Sequence, residues 1–387
     1  MSAAPSQRRA DLDWLRVGAL ALLIVYHVGL VFAPWDWHVH SRHTYEWLGS
    51  AALASNPWRL TLLFLVSGCA VRLMARRLSA SEVLHARASR LIPPLILGLL
   101  LLTPLQSWLE ALDKGWWAGG LGGWWIAEYS PSGLADGVPL NHLWFVFYIA
   151  VYTLFAVALL ASPRVLAAAE ALFERTLVGP WLFILPVAYL FLARQLLFPW
   201  FGITNQLHAD WYNHAVSLGA FLFGFAVVGR EGLWRELERQ RRRALLLALA
   251  ALPVLIAMYL HPGGTAFGSS VRNAVFALFQ WTAIAALLAY GSCYLRRADG
   301  PVLRYLTEAI FPCYLAHQTI LVAVVFLVKP WGWSGPAEAA TFLLVTLAGS
   351  VAVYELVRRM DLLRPFWGLK LADRPSRASR PLQPGAA

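Results

Sequence analysis

LDWLRVGALALLIVYHVGLVF, from Leu12 to Phe32, is the stretch whose reading decides the fold. Its length and apolar character match the roughly 20 residues needed to cross a bilayer. Two residues do not suit a simple anchor. Arg16 stands near its start, and His27 lies deep inside, where hydrocarbon penalises polar groups. At about 100° per residue the two fall within roughly 20° of one helix face and about 16 Å apart along the axis. That stripe suits a long substrate with its anionic end at Arg16 and its reactive end at His27. The plainer alternative is a snorkelling arginine and a histidine bonded to a neighbouring helix.

The rest of the chain extends the same pattern. Of 387 residues, 59% are hydrophobic and only 14% charged, against about a quarter charged in soluble domains. Ten segments are apolar enough to span: 12–33, 58–75, 91–110, 142–161, 177–198, 212–229, 244–260, 271–295, 303–328 and 337–357. The expectation is an all-α polytopic membrane protein of about ten transmembrane helices. Arg8 and Arg9 before the first run resemble a signal peptide, but Pro34-Trp35-Asp36 follows it instead of a small-residue cleavage site. With both termini cytoplasmic, about 26 of the 32 Lys and Arg residues fall on the inner side. The net charge of +11 is therefore topological and does not argue for nucleic acid. Residues 1–360 read as one membrane domain and 361–387 as a basic, disordered cytoplasmic tail. Cys69, Cys293 and Cys313 lie in apolar runs and form no disulfide or zinc pattern.

Further polar residues mark places where chemistry could occur. Arg87 and Arg90 share a helix face at the start of the third span and could clamp phosphates; the alternative is a positive-inside anchor. His38, His40 and His43 crowd the first outer loop, but their spacing matches no metal motif, and no metal is expected. HLWF places His142 and Trp144 at the outer start of the fourth span, and YLAHQT places His317 inside the ninth. Of 19 tryptophans about 14 lie toward the outer face, Trp35 and Trp37 among them, an asymmetry that an aromatic belt alone does not require. Indole faces stack on sugar rings, so an outward glycan platform is the second reading. Trp35, Trp37, His38, His142, Trp144, Asp210 and His317 are the candidates for substrate contact.

Arg16 and His27 with ten residues between them, then Ser67-Gly68, Arg87-x-x-Arg90, HLWF and YLAH, resemble the acyltransferase 3 family over nearly the whole chain. Within it, HVGLVFAPWDWHVHS, ASRLIPP, HLWFVFY and YELVRRMDLLRPFWG resemble the periplasmic glucan succinyltransferase branch. The resemblance implies a multi-pass protein of the bacterial inner membrane. It implies transfer of an acyl group from a cytoplasmic acyl-CoA to a hydroxyl of an extracytoplasmic glycan, with no tightly bound cofactor. Carried over by position, His27 is catalytic with Arg16 as its partner, and Arg87 and Arg90 handle the donor. Gln318 and Thr319 follow His317 where that branch often has proline, which leaves the role of the ninth span open.

Desolvation favours a neutral buried imidazole, so His27 is expected to act as general base or to carry the acyl group covalently. Asp36, Glu46 and Asp210 are the carboxylates considered for orienting it. Succinyl-CoA and acetyl-CoA are both compatible donors; a succinyl group would need a cation or hydrogen-bond donor such as Arg194, Arg272 or Gln195. The rival reading is a transporter of a glycan or acyl precursor. Against it, the sequence shows no half-to-half repeat or paired broken helices.

Overall fold

A computed structural model describes residues 8–135, 137–262 and 264–371. The first span is α1 (Ala10–Val31). A short α2 (Trp47–Ala52) leads into α3 (Asn56–Met74), which starts at Pro57, where a missing N–H costs nothing. The third span is longer than 91–110. A capping box between Ser79 and Glu82 starts α4 (Ala80–Leu97), so Arg87 and Arg90 stand well inside a helix. Pro93 and Pro94 interrupt its hydrogen-bond ladder, and a π-helical turn, Gly98–Leu102, follows before α5 (Thr103–Asp113).

After α6 (Leu121–Glu128) come α7 (Trp144–Leu160), an unanticipated amphipathic α8 (Pro163–Thr176), α9 (Trp181–Phe201) and α10 (Trp211–Val227). The last four are α11 (Glu231–Leu260), α12 (Ala266–Leu295), α13 (Pro301–Val328) and α14 (Gly335–Val357). α11 begins well before 244, because the run Arg239–Arg243 contains no helix breaker. Among the described residues nine helical segments are long and apolar enough to cross a membrane. α10, at 17 residues, sits at the short end of that range and corresponds to the expected sixth span.

α10 packs on α3 along small residues: a Cβ on Gly68 would overlap the Phe221 carbonyl oxygen, and one on Gly224 the Leu65 carbonyl oxygen. Such close approach is how apolar helices associate without a hydrophobic drive between them. α1 lies against α3, α12, α13 and α14, and α5 lies against α13. The polar residues of α1, α5 and α13 therefore face one another inside the bundle.

The connections sort into two sets. Arg8 bonds to Asp299 and Thr307, Trp14 to the Ala298 carbonyl, Arg296 to Glu231, and Arg72 and Arg230 to Glu170. At the other end Lys114 bonds to Asp36, Lys329 to Asp113, and His43 to the Trp333 carbonyl. One face is arginine-rich and the other tryptophan-rich, as the charge pattern predicts. Asp361–Leu371 folds back, with a 3-10 turn at Pro365–Trp367 against α4 and Leu369 buried. Residues 372–387 of the tail expected from 361 lie outside the described residues.

Candidate functional site

α1 turns His27 inward, toward α13. Its ring stacks on His317 with centroids 5.2 Å apart and planes 12° from parallel, and its Nδ1 lies 3.1 Å from His317 Nε2. His317 is fully buried, and its Nδ1 faces the carbonyl oxygen of Tyr314. A carbonyl only accepts, so His317 Nδ1 carries the hydrogen and its Nε2 is a lone pair. His27 Nδ1–H then donates to that lone pair, which leaves His27 Nε2 unprotonated. Nε2 has no protein partner among the described residues, and His27 is only half-buried. The pattern thus leaves the basic nitrogen free of a protein hydrogen bond among the described residues.

The neighbouring histidines are accounted for. His142 stands edge-on to His317 at 5.4 Å; its Nε2 donates to the Leu315 carbonyl at 3.1 Å and its Nδ1 accepts from Gln106 at 3.4 Å. Gln106 also donates to Thr319 at 2.6 Å, and its oxygen accepts from Asn141 and Gln318, each at 3.2 Å. Gln318 donates to His38 Nε2 at 2.9 Å, so His38 Nδ1–H donates to Glu110. Lys114 completes the chain, bonding Glu110 at 2.7 Å and Asp36 at 3.0 Å. Trp37 covers His27 at 5.2 Å between centroids, with its own N–H buried and unpartnered.

The structure therefore gathers His27, His317, His142, His38 and Trp37 and leaves other candidates elsewhere. Asp210 is buried but accepts from Tyr148 and Asn213, both at 2.8 Å, and from the backbone of Thr204 and Asn205. It fixes the loop before α10. Trp144 packs among Phe64, Phe145 and Tyr148, and Trp35 lies beside Gly49. Asp36 is exposed beside Lys114, and Glu46 precedes α2 on the surface. None of the three expected carboxylates orients His27; an imidazole does. A bare carboxylate against a neutral ring in a membrane interior would carry an unbalanced charge, whereas His317 and its carbonyl fix the ring without one. Arg194 bonds Asn273, Tyr212 and Tyr259, and Gln195 bonds Ser270, in a separate cluster that Arg272 flanks at Tyr259. Among the described residues no three His, Cys, Asp or Glu side chains are arranged to hold a metal ion.

At the arginine-rich end, a cavity of about 560 Å³ is lined by Arg8, Arg9, Asp13, Arg16, Arg76 and Arg77 together with apolar residues of α1 and α3. Arg9 is matched by Asp11 at 2.6 Å and Arg8 by Asp13 at 2.7 Å. Arg16 lies 3.6 Å from Asp13, a looser pairing that leaves more of its charge to the cavity. Arg87 and Arg90 do not line that cavity. Arg87 Nε is buried without a partner.

A sequence profile described as an acyltransferase domain (Acyl_transf_3) matches residues 9–355. The chain belongs to the acyltransferase 3 family. It is accordingly a membrane enzyme that transfers acyl groups. Similar proteins include Glucans biosynthesis protein C of Salmonella typhimurium, 21% identical over 398 residues, covering 98% of this chain and all of the relative. The protein of the same name from Salmonella heidelberg is 21% identical over 382 residues, covering 94% of this chain and 95% of its own. No solved structure gives a significant match. In this acyltransferase the sequence reading missed Gln106 and Glu110. Gln106 and Glu110 are single polar residues in the apolar run LLTPLQSWLEALD, a signal that only their facing partners on α13 and the outer loop make meaningful.

Proposed function

We propose that this acyltransferase moves an acyl group from acyl-CoA, docked at the arginine-rich face, to a hydroxyl of a glycan held at the tryptophan-rich face. The observation that carries the reading is the unpaired His27 Nε2, the one ring nitrogen of the four-histidine cluster without a partner among the described residues. The naming of its relatives for glucan biosynthesis supports the acceptor class. The arginine-rich face is the cytoplasmic one, both termini lie there, and the membrane is the bacterial inner membrane.

The CoA phosphates meet Arg16, with Arg87 and Arg90 behind it, and the pantetheine arm brings the thioester along α1 to His27. His27 Nε2 removes the hydroxyl proton as the sugar oxygen attacks the thioester carbon. His317 Nε2 accepts from Nδ1–H and steadies the imidazolium. The C–S bond then breaks, and the departing thiolate takes the proton back from His27. An ester and free CoA thiol result, with no net proton change and no bound cofactor. A succinyl group is the favoured cargo and acetyl the alternative.

The test uses purified protein in vesicles supplied with labelled acyl-CoA and glucan. Labelled glucan is expected with the native protein and none with a folded His27→Ala variant that still binds acyl-CoA. Movement of unmodified glucan without acylation would replace this reading with transport. An acyl group trapped on His27 in the absence of acceptor would substitute a covalent relay for the direct attack.

A further inference from the structure

One buried charge is left over beside the reactive imidazole. Arg59, in the first turn of α3, is 1% exposed. Its guanidinium stacks 3.9 Å from the centre of the Tyr26 ring, and Nη1 donates to Ser55 at 3.1 Å. Nε is buried without a partner. Among the described residues no carboxylate forms an ion pair with it. Arg9 and Arg72, by contrast, are matched by Asp11 and by Glu170.

This position is unfavourable twice over. A buried ion without a counter-charge is costly, and the N-terminal turn of a helix already carries partial positive charge. An anion there would relieve both. The place is also specific: the Tyr26 ring centre is 5.9 Å from that of His27, so guanidinium and imidazole lie within about 10 Å of each other. A four-carbon dicarboxylic acyl group spans roughly 4 Å between its terminal carbons. With its thioester carbon at the imidazole, its free carboxylate reaches the guanidinium, given contact distances of about 3 Å at each end.

We propose that Arg59 is the specificity-determining residue of this acyltransferase, binding the free carboxylate of a dicarboxylic acyl group whose thioester end stands at His27. Binding draws Tyr26 aside and places the carboxylate on Arg59 Nε. The inference rests on the acyl-transfer reading above and adds the residue that selects the cargo. It also departs from the expectation that Arg194, Arg272 or Gln195 serve this role, since their cluster makes no contact with the imidazoles among the described residues.

The experiment compares succinyl-CoA with butyryl-CoA, which has the same chain length and no carboxylate, as donors in vesicles, reading kcat/KM for each. The native protein is expected to favour succinyl by at least about 100-fold. Arg59→Gln should reduce that ratio about 100-fold, and Arg59→Lys, which keeps the charge and loses the fork, should give an intermediate ratio. A native protein that uses both donors equally overturns the proposal without any variant. So does an Arg59→Gln protein with an unchanged ratio. If the native protein transfers neither group, the proposal is overturned, and acetyl-CoA offered as donor then decides whether the acyl-transfer reading stands. If Arg59→Gln does not fold, Arg59→Lys with the native ratio counts against the proposal, and a reduced ratio supports it.

Discussion

Replacing His317 by phenylalanine should uncouple the two stacked imidazoles while filling the same space. His27 Nδ1–H, now 3.1 Å from Nε2 of His317, would lose its acceptor, and nothing would fix which His27 nitrogen carries the hydrogen. When His27 takes a proton in the transition state, the same bond becomes a hydrogen bond from a charged donor, worth about 1.5–3 kcal/mol. At 1.36 kcal/mol per tenfold, kcat should fall about 10- to 150-fold. The donor KM should stay near native, because Arg16 lies about 16 Å away along α1. His317→Gln puts an amide oxygen near the lost Nε2 and should recover most of kcat. The assay is acyl transfer in vesicles with donor concentration varied, alongside thermal midpoints to check folding. The reasoning is refuted if the folded His317→Phe protein stays within threefold of native kcat. It is equally refuted if the glutamine variant is as slow as the phenylalanine one while both keep the native midpoint.

Other expectations follow from the same geometry. Arg16→Ala should raise the KM for acyl-CoA about tenfold with a smaller effect on kcat, and added salt should narrow the difference from native; an unchanged KM argues that the phosphates bind elsewhere. Gly224→Ala drives a Cβ into the Leu65 carbonyl on α3 and should cost about 3 kcal/mol, read as a fall of several degrees in the thermal midpoint in detergent. Burial raises the Glu128 carboxyl above its ordinary value of 4.5, against hydrogen bonds from Ser107 and Trp124 that pull it down. A raised acid stabilises the fold below its unfolded pKa and loses that contribution as pH rises through the folded one. Glu128→Gln should therefore raise the thermal midpoint above about pH 6 and lose that advantage near pH 4; an advantage independent of pH would show that the charge is not the cause.

The sequence carried the membrane architecture because apolar run length and arginine placement are local quantities. Arg16 and His27 were legible for the same reason: both are anomalies within one short stretch. Segment ends were not legible. α4 starts at a capping box hydrophilic enough to read as a loop, and α11 runs out of the apolar region through Arg239–Arg243. The partner of His27 was not legible either. Local reading looked for a carboxylate in the flanking loops, whereas the contact comes from 290 positions along the chain. Arg59, near the start of the expected span 58–75, drew no attention until the fold placed Tyr26 of α1 over it.

On the proposed mechanism the site is approached from both faces, and the choice of partners around His27 bears on how it avoids leaking protons. The ionisable Glu110 and Lys114 sit at the outer end of the network with His38. Between His38 and the inner imidazoles stand Gln318 and Gln106, whose amides donate and accept hydrogen bonds without changing protonation state. A proton released at His27 therefore has no titratable chain to the outer face through these side chains. It stays on the imidazole until the thiolate collects it, and the base returns to its starting form. A carboxylate at position 106 or 318 would bridge the gap. Gln318→Glu should then add a slow proton conductance to vesicles holding the protein, measurable with an internal pH dye. A conductance equal to that of the native protein would show that the amides serve geometry alone.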